Sequence, residues 1–298
     1  MKKRYTLLLF VFFLLLTGYS TVENSTLETC YVVGQSRSKI ISFLQNHNNK
    51  NQLFCYEDFF DQTITSFVGT RYGAGGAGCK AGFTLINVEQ MDCVTFVENF
   101  LALAATVASV QKTDHYVSTD QQFERFVQYL NQIRYYGSNN CDWEDRYHYF
   151  TDALTHLENQ NLLTNVARWN GEVFDKKIHY MSTNKRRYPG IRDWNRIQNI
   201  EKSLSNQVRY YYSVAEICRY EAVAQNGDIV ALATDVPGLD VSHCGFIHTE
   251  NGILQFTHAS SLKHKIVLKE DLVDYLVGKN HITGIFVFRP TFEGLEGM

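Results

Sequence analysis

The run from Val94 to Ala108 constrains this chain most: Phe96, Val97, Phe100, Leu101, Leu103, Ala104 and Val107 leave it almost no polar side. A helix apolar on every side is a central one, packed by neighbours on more than one face. Asp92 is a good N-cap for it, so Cys93 falls at the first helical position, at the positive end of the helix dipole. The dipole favours thiolate, the nucleophilic form of cysteine, and makes this sulfur a candidate for chemistry. The competing reading is a plain buried cysteine, one of the most buried residue types.

The first twenty residues read as a leader. Lys2, Lys3 and Arg4 precede ten uninterrupted apolar residues, Leu7 to Leu16, and Gly18-Tyr19-Ser20 has the small-x-small form of a cleavage site. The run is too short to span a bilayer stably, and Tyr19 stands where a lipoprotein signal would carry cysteine. The expectation is an exported protein, periplasmic or secreted, with no other apolar run of membrane length. Removing three positive charges takes the formal net charge from -3 to -6, which argues against nucleic acid and does not favour anionic membrane surfaces.

Residues 21–298 suffice for one large domain or a smaller core with an insertion. With three prolines and no linker, charge block or repeat to mark a boundary, a single compact unit is expected, and a monomer. Seven cysteines are an odd number for an exported chain: six can pair and leave one thiol, for which Cys93 is the favoured candidate, or the other six can be reduced.

Gly73, Gly75 and Gly78 satisfy a G-x-G-x-x-G pattern. The dinucleotide reading fails on context, because no apolar strand leads in and Phe83 to Asn87 reads as extended rather than helical. Cys79-Lys80-Ala81 also lacks the ending of a phosphate loop. A glycine loop that lets backbone approach a ligand is the better account, with no cofactor.

Amphipathic helices are expected at about Ser36 to Asn46 and Phe54 to Phe67. From about residue 115 to 222 the chain reads mainly helical: Phe123, Phe126, Val127, Leu130 and Ile133 form a stripe, and Tyr147 to Leu163 and Ile191 to Tyr211 hold further stretches. This insertion carries the densest aromatic and basic clusters, among them Arg146-Tyr147-His148-Tyr149, a composition suited to a sugar-peptide ligand bearing carboxylates. From Gly227 onward the pattern changes to strands: Asp228 to Thr234, Ser242 to Thr249, Ile253 to Ala259, Lys265 to Leu268 and Ile282 to Arg289, with a brief helix from Glu270 to Val277. A helical half followed by an antiparallel meander is an α+β domain.

Asn251-Gly252 is a strong hairpin signal, since both central positions of a type I′ turn need positive φ. With that turn, Glu250 pairs with Ile253, facing residues sum to 503, and Gly245 lies opposite His258. Side chains alternate, so His243 and His258 share a face as diagonal neighbours roughly 7 to 8 Å apart at the backbone, and His248 falls on the other face. A thiol needs a histidine to hold it as thiolate, and that histidine needs a fixed partner for its other nitrogen. Cys93, His243 and His258 can fill these roles as nucleophile, base and orienting group, with the Cys93 N–H contributing to an oxyanion site. A zinc site from the same three residues is the competing chemistry, but neither His-Glu-x-x-His nor paired Cys-x-x-Cys spacing supports it, and no metal is expected.

Gly69-Thr70-Arg71-Tyr72, Asp92-Cys93-Val94-Thr95-Phe96-Val97-Glu98-Asn99, Gly238 to Gly245 with Ser242-His243-Cys244-Gly245, and His258-Ala259-Ser260-Ser261 resemble the NlpC/p60 papain-like cell-wall peptidases, most closely the N-acetylmuramoyl-L-alanine amidase-like proteins. The resemblance extends through Arg146 to Tyr149, His179-Tyr180-Met181-Ser182 and Asn226-Gly227-Asp228-Ile229, nearly all of the mature chain. It implies a papain-like core, a Cys-bearing central helix on an antiparallel sheet, and a Cys93-His243-His258 site cutting the bond between N-acetylmuramic acid and L-alanine in peptidoglycan or soluble muropeptides. Tyr72 would lie beside the nucleophile, and Tyr72, Asp92, Arg146 and Tyr149 are the expected substrate contacts. Two departures stand out: Cys244 occupies an expected aliphatic position, and the Gly73 to Lys80 loop is unusual. The rival activity is a γ-D-glutamyl-diamino acid endopeptidase; the rival class is a non-catalytic glycan-binding module on the same scaffold.

Overall fold

The computed structural model describes residues 30–47, 53–74, 79–80, 82–137 and 141–295. The leader read at residues 1–20 and the glycines at 75, 76 and 78 lie outside the described residues.

The all-apolar run forms the Cys93–Gln111 helix, in which all but the first turn is buried. It meets the length and hydropathy of a membrane span, which amends the expectation of no second apolar run of that length. However, 89% of its most apolar window is buried inside the fold. The Ser36–His47 and Thr119–Arg134 helices pack along it, and the aromatic rings of Phe59, Phe60, Phe67 and Phe246 close around Phe100. Each ring contact adds specific geometry to the burial of a large apolar side chain.

Among the described residues the main sheet has ten strands. At its centre Ile229–Thr234, Val241–Glu250, Ile253–Ser260 and Lys265–Asp271 follow one another as an antiparallel meander, and Ile282–Pro290 returns to pair with Ile229–Thr234. Alternation sorts their side chains into two apolar layers. Ala231, Ala233, Cys244, Phe246 and Phe286 pack toward the central helix. Val230, Leu232, Ile247, Leu254, Phe256 and Val287 pack on the far face beneath the Leu272–Val277 helix.

Residues between 119 and 221 supply four helices of five residues or more, as their stripes required. They also supply strands. Leu163–Asn165 and Tyr210–Ser213 pair with Ile282–Pro290, so this segment extends the core sheet. The amphipathic stretch expected from Ile191 to Tyr211 is helical from Trp194 to Asn206 only, and Tyr210–Ser213 is a strand. Five described cysteines, Cys30, Cys55, Cys93, Cys218 and Cys244, are free, and Cys141 is disulfide-bonded, so three pairs do not form.

Candidate active site

Met91 ends a two-residue strand, and Asp92 turns the chain into the central helix. Its carboxylate accepts the Thr95 N–H at 2.8 Å while Thr95 Oγ1 accepts the Asp92 N–H at 2.8 Å, a reciprocal cap that fixes the first turn. The helix geometry leaves the N–H groups of Cys93 and Val94 without intrahelical acceptors, beside the sulfur. Asp92, expected as a substrate contact, uses Oδ1 for this cap.

The histidine hairpin forms in the expected register. Asn251 and Gly252 both have positive φ, Glu250 faces Ile253, and Phe246 faces Thr257. His243 Nε2 lies 2.7 Å from His258 Nδ1, the two rings nearly perpendicular with centroids 4.7 Å apart. Gly245 makes this possible, because a Cβ there would lie 2.4 Å from the Thr257 carbonyl oxygen and 2.8 Å from His258 Cβ. His248 faces the other way, 3.6 Å from Asp61.

The helix tip abuts the strand at residues 243 and 244. Cys93 is partly exposed and is held well below the ordinary thiol range, most strongly by a hydrogen bond from the Cys244 thiol. Burial opposes this, and the hydrogen bond and charge of His243 and the Cys244 backbone add to it. Burial drives Cys244 far in the opposite direction, so the pair ionises at Cys93. The result is a reactive thiolate facing an imidazole.

His258 is 1% exposed, and burial pushes it down to about 4 against the pull of Glu270, so the ring is neutral near pH 7. Its Nε2 lies 2.6 Å from Glu270 Oε2. Burial would raise Glu270, but contacts with Lys263 and His258 bring it below the usual carboxylate range. Tyr275 stacks on His243 at 6.1 Å and 18° and meets His258 edge-on at 5.1 Å. Burial lifts its hydroxyl to about 12. Neither Glu270 nor Tyr275 was found from sequence. The pattern places Glu270 at a helix start, whereas the strand runs on to Asp271 through Lys269 at φ 57°.

Tyr72 lies within the field of the sulfur. Burial raises its hydroxyl, and the negative charges of Cys93 and Asp92 raise it further. Arg146 and Tyr149, also expected to touch substrate, are buried and engage interior partners. Arg146 is 5% exposed and shares Glu98 with Arg134, at 2.6 and 2.8 Å. Tyr149 is 2% exposed, donates to Glu201 at 2.8 Å and accepts from the Met181 N–H at 3.0 Å. An interior needs partners for its polar groups, and both residues serve there. Among the described residues, no group of three or more His, Cys, Asp or Glu could hold a metal ion.

A thiolate at a helix tip, beside an imidazole on a mixed α+β fold, is the apparatus of a hydrolase. The chain belongs to the AmiA-like, N-acetylmuramoyl-L-alanine amidase-like family, whose model it matches over residues 62–285. It is similar to a solved Bacteroides fragilis structure provisionally named a xylanase, at 32% identity and TM-score 0.65, covering 76% of this chain and 98% of that one. Two solved Bacteroides uniformis structures of an N-acetylmuramoyl-L-alanine amidase are also similar. One has 27% identity, TM-score 0.67 and coverage of 78% and 98%; the other has 25%, 0.66, and 87% and 100%. Among curated protein sequences none matches.

Proposed function

We propose that this chain is an exported cysteine amidase that hydrolyses the bond between N-acetylmuramic acid and L-alanine in peptidoglycan or muropeptides, on a papain-like NlpC/p60 scaffold. The observation that carries the reading is the line Cys93, His243, His258, in which each group contacts the next. Family membership and the two similar amidases supply the substrate class.

In this mechanism the Cys93 thiolate attacks the lactyl carbonyl, and the oxyanion is received by the free N–H groups at the helix start. His243 then donates its proton to the departing L-alanine nitrogen, leaving a thioester. Water, deprotonated by His243, attacks the thioester and releases the muramic acid carboxylate, and the proton returns to the thiolate–imidazolium pair. Tyr72 lies within the field of the sulfur, and Tyr275 stacks on the His243 ring.

The name of the Bacteroides fragilis relative raises a second chemistry, glycosidic cleavage, which requires a carboxylic acid with raised pKa beside a second carboxylate. Two carboxyls around the Cys93–His243–His258 line do not supply that acid: Asp92 caps a helix, and Glu270 is held ionised. Mass analysis of purified muropeptides digested by the wild type and by Cys93→Ala tests the proposal. Free sugar plus intact stem peptide, absent with Cys93→Ala, is the expected result. A dipeptide left on the sugar would establish the endopeptidase, and undiminished turnover by Cys93→Ala would remove the sulfur from the mechanism.

A further inference from the structure

We propose that Glu270 is a positioning residue that acts through His258, fixing which nitrogen of each imidazole carries its proton, with Lys263 paired to its other carboxylate oxygen. The proposal rests on Cys93 being the nucleophile and adds to that reading a residue that never touches substrate.

An ionised carboxylate can only accept, so at 2.6 Å from Glu270 Oε2 the Nε2 of His258 must carry a proton. A neutral ring has one such proton, which leaves His258 Nδ1 as a bare acceptor for the Nε2–H of His243 at 2.7 Å. His243 Nδ1 is then the nitrogen left to face the sulfur, and His243 can take a second proton there without losing its contact to His258. Without Glu270, His258 is free to carry its proton on Nδ1. Two N–H groups would then oppose each other across 2.7 Å, and the imidazolium that stabilises the thiolate would be disfavoured.

The surroundings confine this chain of contacts. His258 is walled by Phe256, stacked at 4.6 Å, and by Tyr275, so Glu270 and His243 are the polar groups facing its two nitrogens. Lys263, in the turn after the His258 strand, reaches the other carboxylate oxygen. The charged or titratable groups facing Cys93 are His243, Cys244, Tyr72, Asp92 and Tyr275. Of these, Tyr275 alone feels the Glu270 charge directly, its hydroxyl being raised by it, while His243 is reached only through His258.

The test joins nitrogen-15 NMR of labelled histidine with the pH dependence of iodoacetamide alkylation of Cys93, on wild type, Glu270→Gln and Glu270→Ala. Wild-type His258 should show the Nε2–H tautomer. In Glu270→Ala both tautomers should appear, the acid limb of alkylation should move to higher pH, and the rate near pH 6 should fall roughly tenfold or more, as when the partner of a functional imidazole is removed. Glu270→Gln keeps an acceptor oxygen and should retain the tautomer with a smaller shift. A wild-type His258 protonated on Nδ1 would overturn the proposal even if both variants fail to fold, and so would unchanged alkylation and tautomers in a folded Glu270→Ala. If tautomer and alkylation respond while muropeptides stay uncut, the relay stands and the substrate reading falls.

Discussion

Cys244, fully buried, sits against Cys93, and its thiol is the strongest of the influences that hold the Cys93 sulfur below the ordinary thiol range. A thiol donor aimed at a thiolate lowers the nucleophile's pKa more than any other contact at this site. Cys244→Val fills similar space but donates nothing. It should raise the Cys93 pKa and slow alkylation about tenfold at acid pH, the worth of one hydrogen bond to a charged group, but not near pH 9. Cys244→Ser keeps a donor and should lie between the two. Superimposable alkylation profiles for Cys244→Val and wild type would show that the contact does not tune the sulfur.

Gly245 leaves no room for a side chain between the two histidine strands. Gly245→Ala forces its methyl against the Thr257 carbonyl and His258 Cβ, at 2.4 and 2.8 Å before relaxation. The strands must part, at a cost of about 1–3 kcal/mol for overpacking, and His258 moves away from His243. Activity should fall further than the stability loss explains, because the 2.7 Å contact is what aligns the base. Wild-type turnover with unchanged melting would contradict this.

Glu98 holds two buried guanidiniums, of Arg134 and Arg146, at 2.8 and 2.6 Å. Removing it leaves two charges without their counter-ion in the interior. Glu98→Ala should destabilise the fold by about 3–5 kcal/mol, the usual penalty for breaking a buried ion pair from one side. Urea unfolding measures it, and a loss under about 1 kcal/mol would mean that solvent reaches the cluster.

Buried histidines and one buried aspartate shape the acid stability. Burial pushes His148 and His258 down to about 4. Between roughly pH 6.5 and 4 the unfolded chain therefore binds more protons, and stability is lost as pH falls through that window. Burial, with the negative charge of Asp240, raises Asp152 to about 7, which works in the opposite sense: its folded form keeps a proton, and stability is lost as pH rises toward 7. Asp152→Asn should thus be more stable than wild type near pH 7 and should steepen the loss between pH 6.5 and 4. Parallel urea-midpoint profiles for the two proteins would refute the assignment.

The histidine pair was legible because its cause is local. Asn251-Gly252 demands one turn, the turn demands one register, and the register puts His243 and His258 on one face. The central helix was legible for a similar reason: no other environment suits an all-apolar run capped by Asp92. Glu270 was hidden because the apolar alternation breaks after Leu268, while the strand continues through a bulge that the pattern does not show. Arg146 and Tyr149 carry a different ambiguity. Arginine and tyrosine suit a ligand surface and a satisfied interior equally well, and only the fold supplied Glu98 and Glu201 as their partners.

The central claim is that Cys93 forms a bond to the sugar side of the substrate. Rapid acid quenching of a muropeptide digest, followed by intact and peptide mass spectrometry, tests it most directly. The account predicts a transient adduct on Cys93 with the mass of the muramoyl sugar, no adduct in Cys93→Ala, and an accumulated thioester if deacylation is slowed by His258→Ala. A peptide-bearing adduct, a modified residue other than Cys93, or turnover with Cys93 alkylated would contradict it.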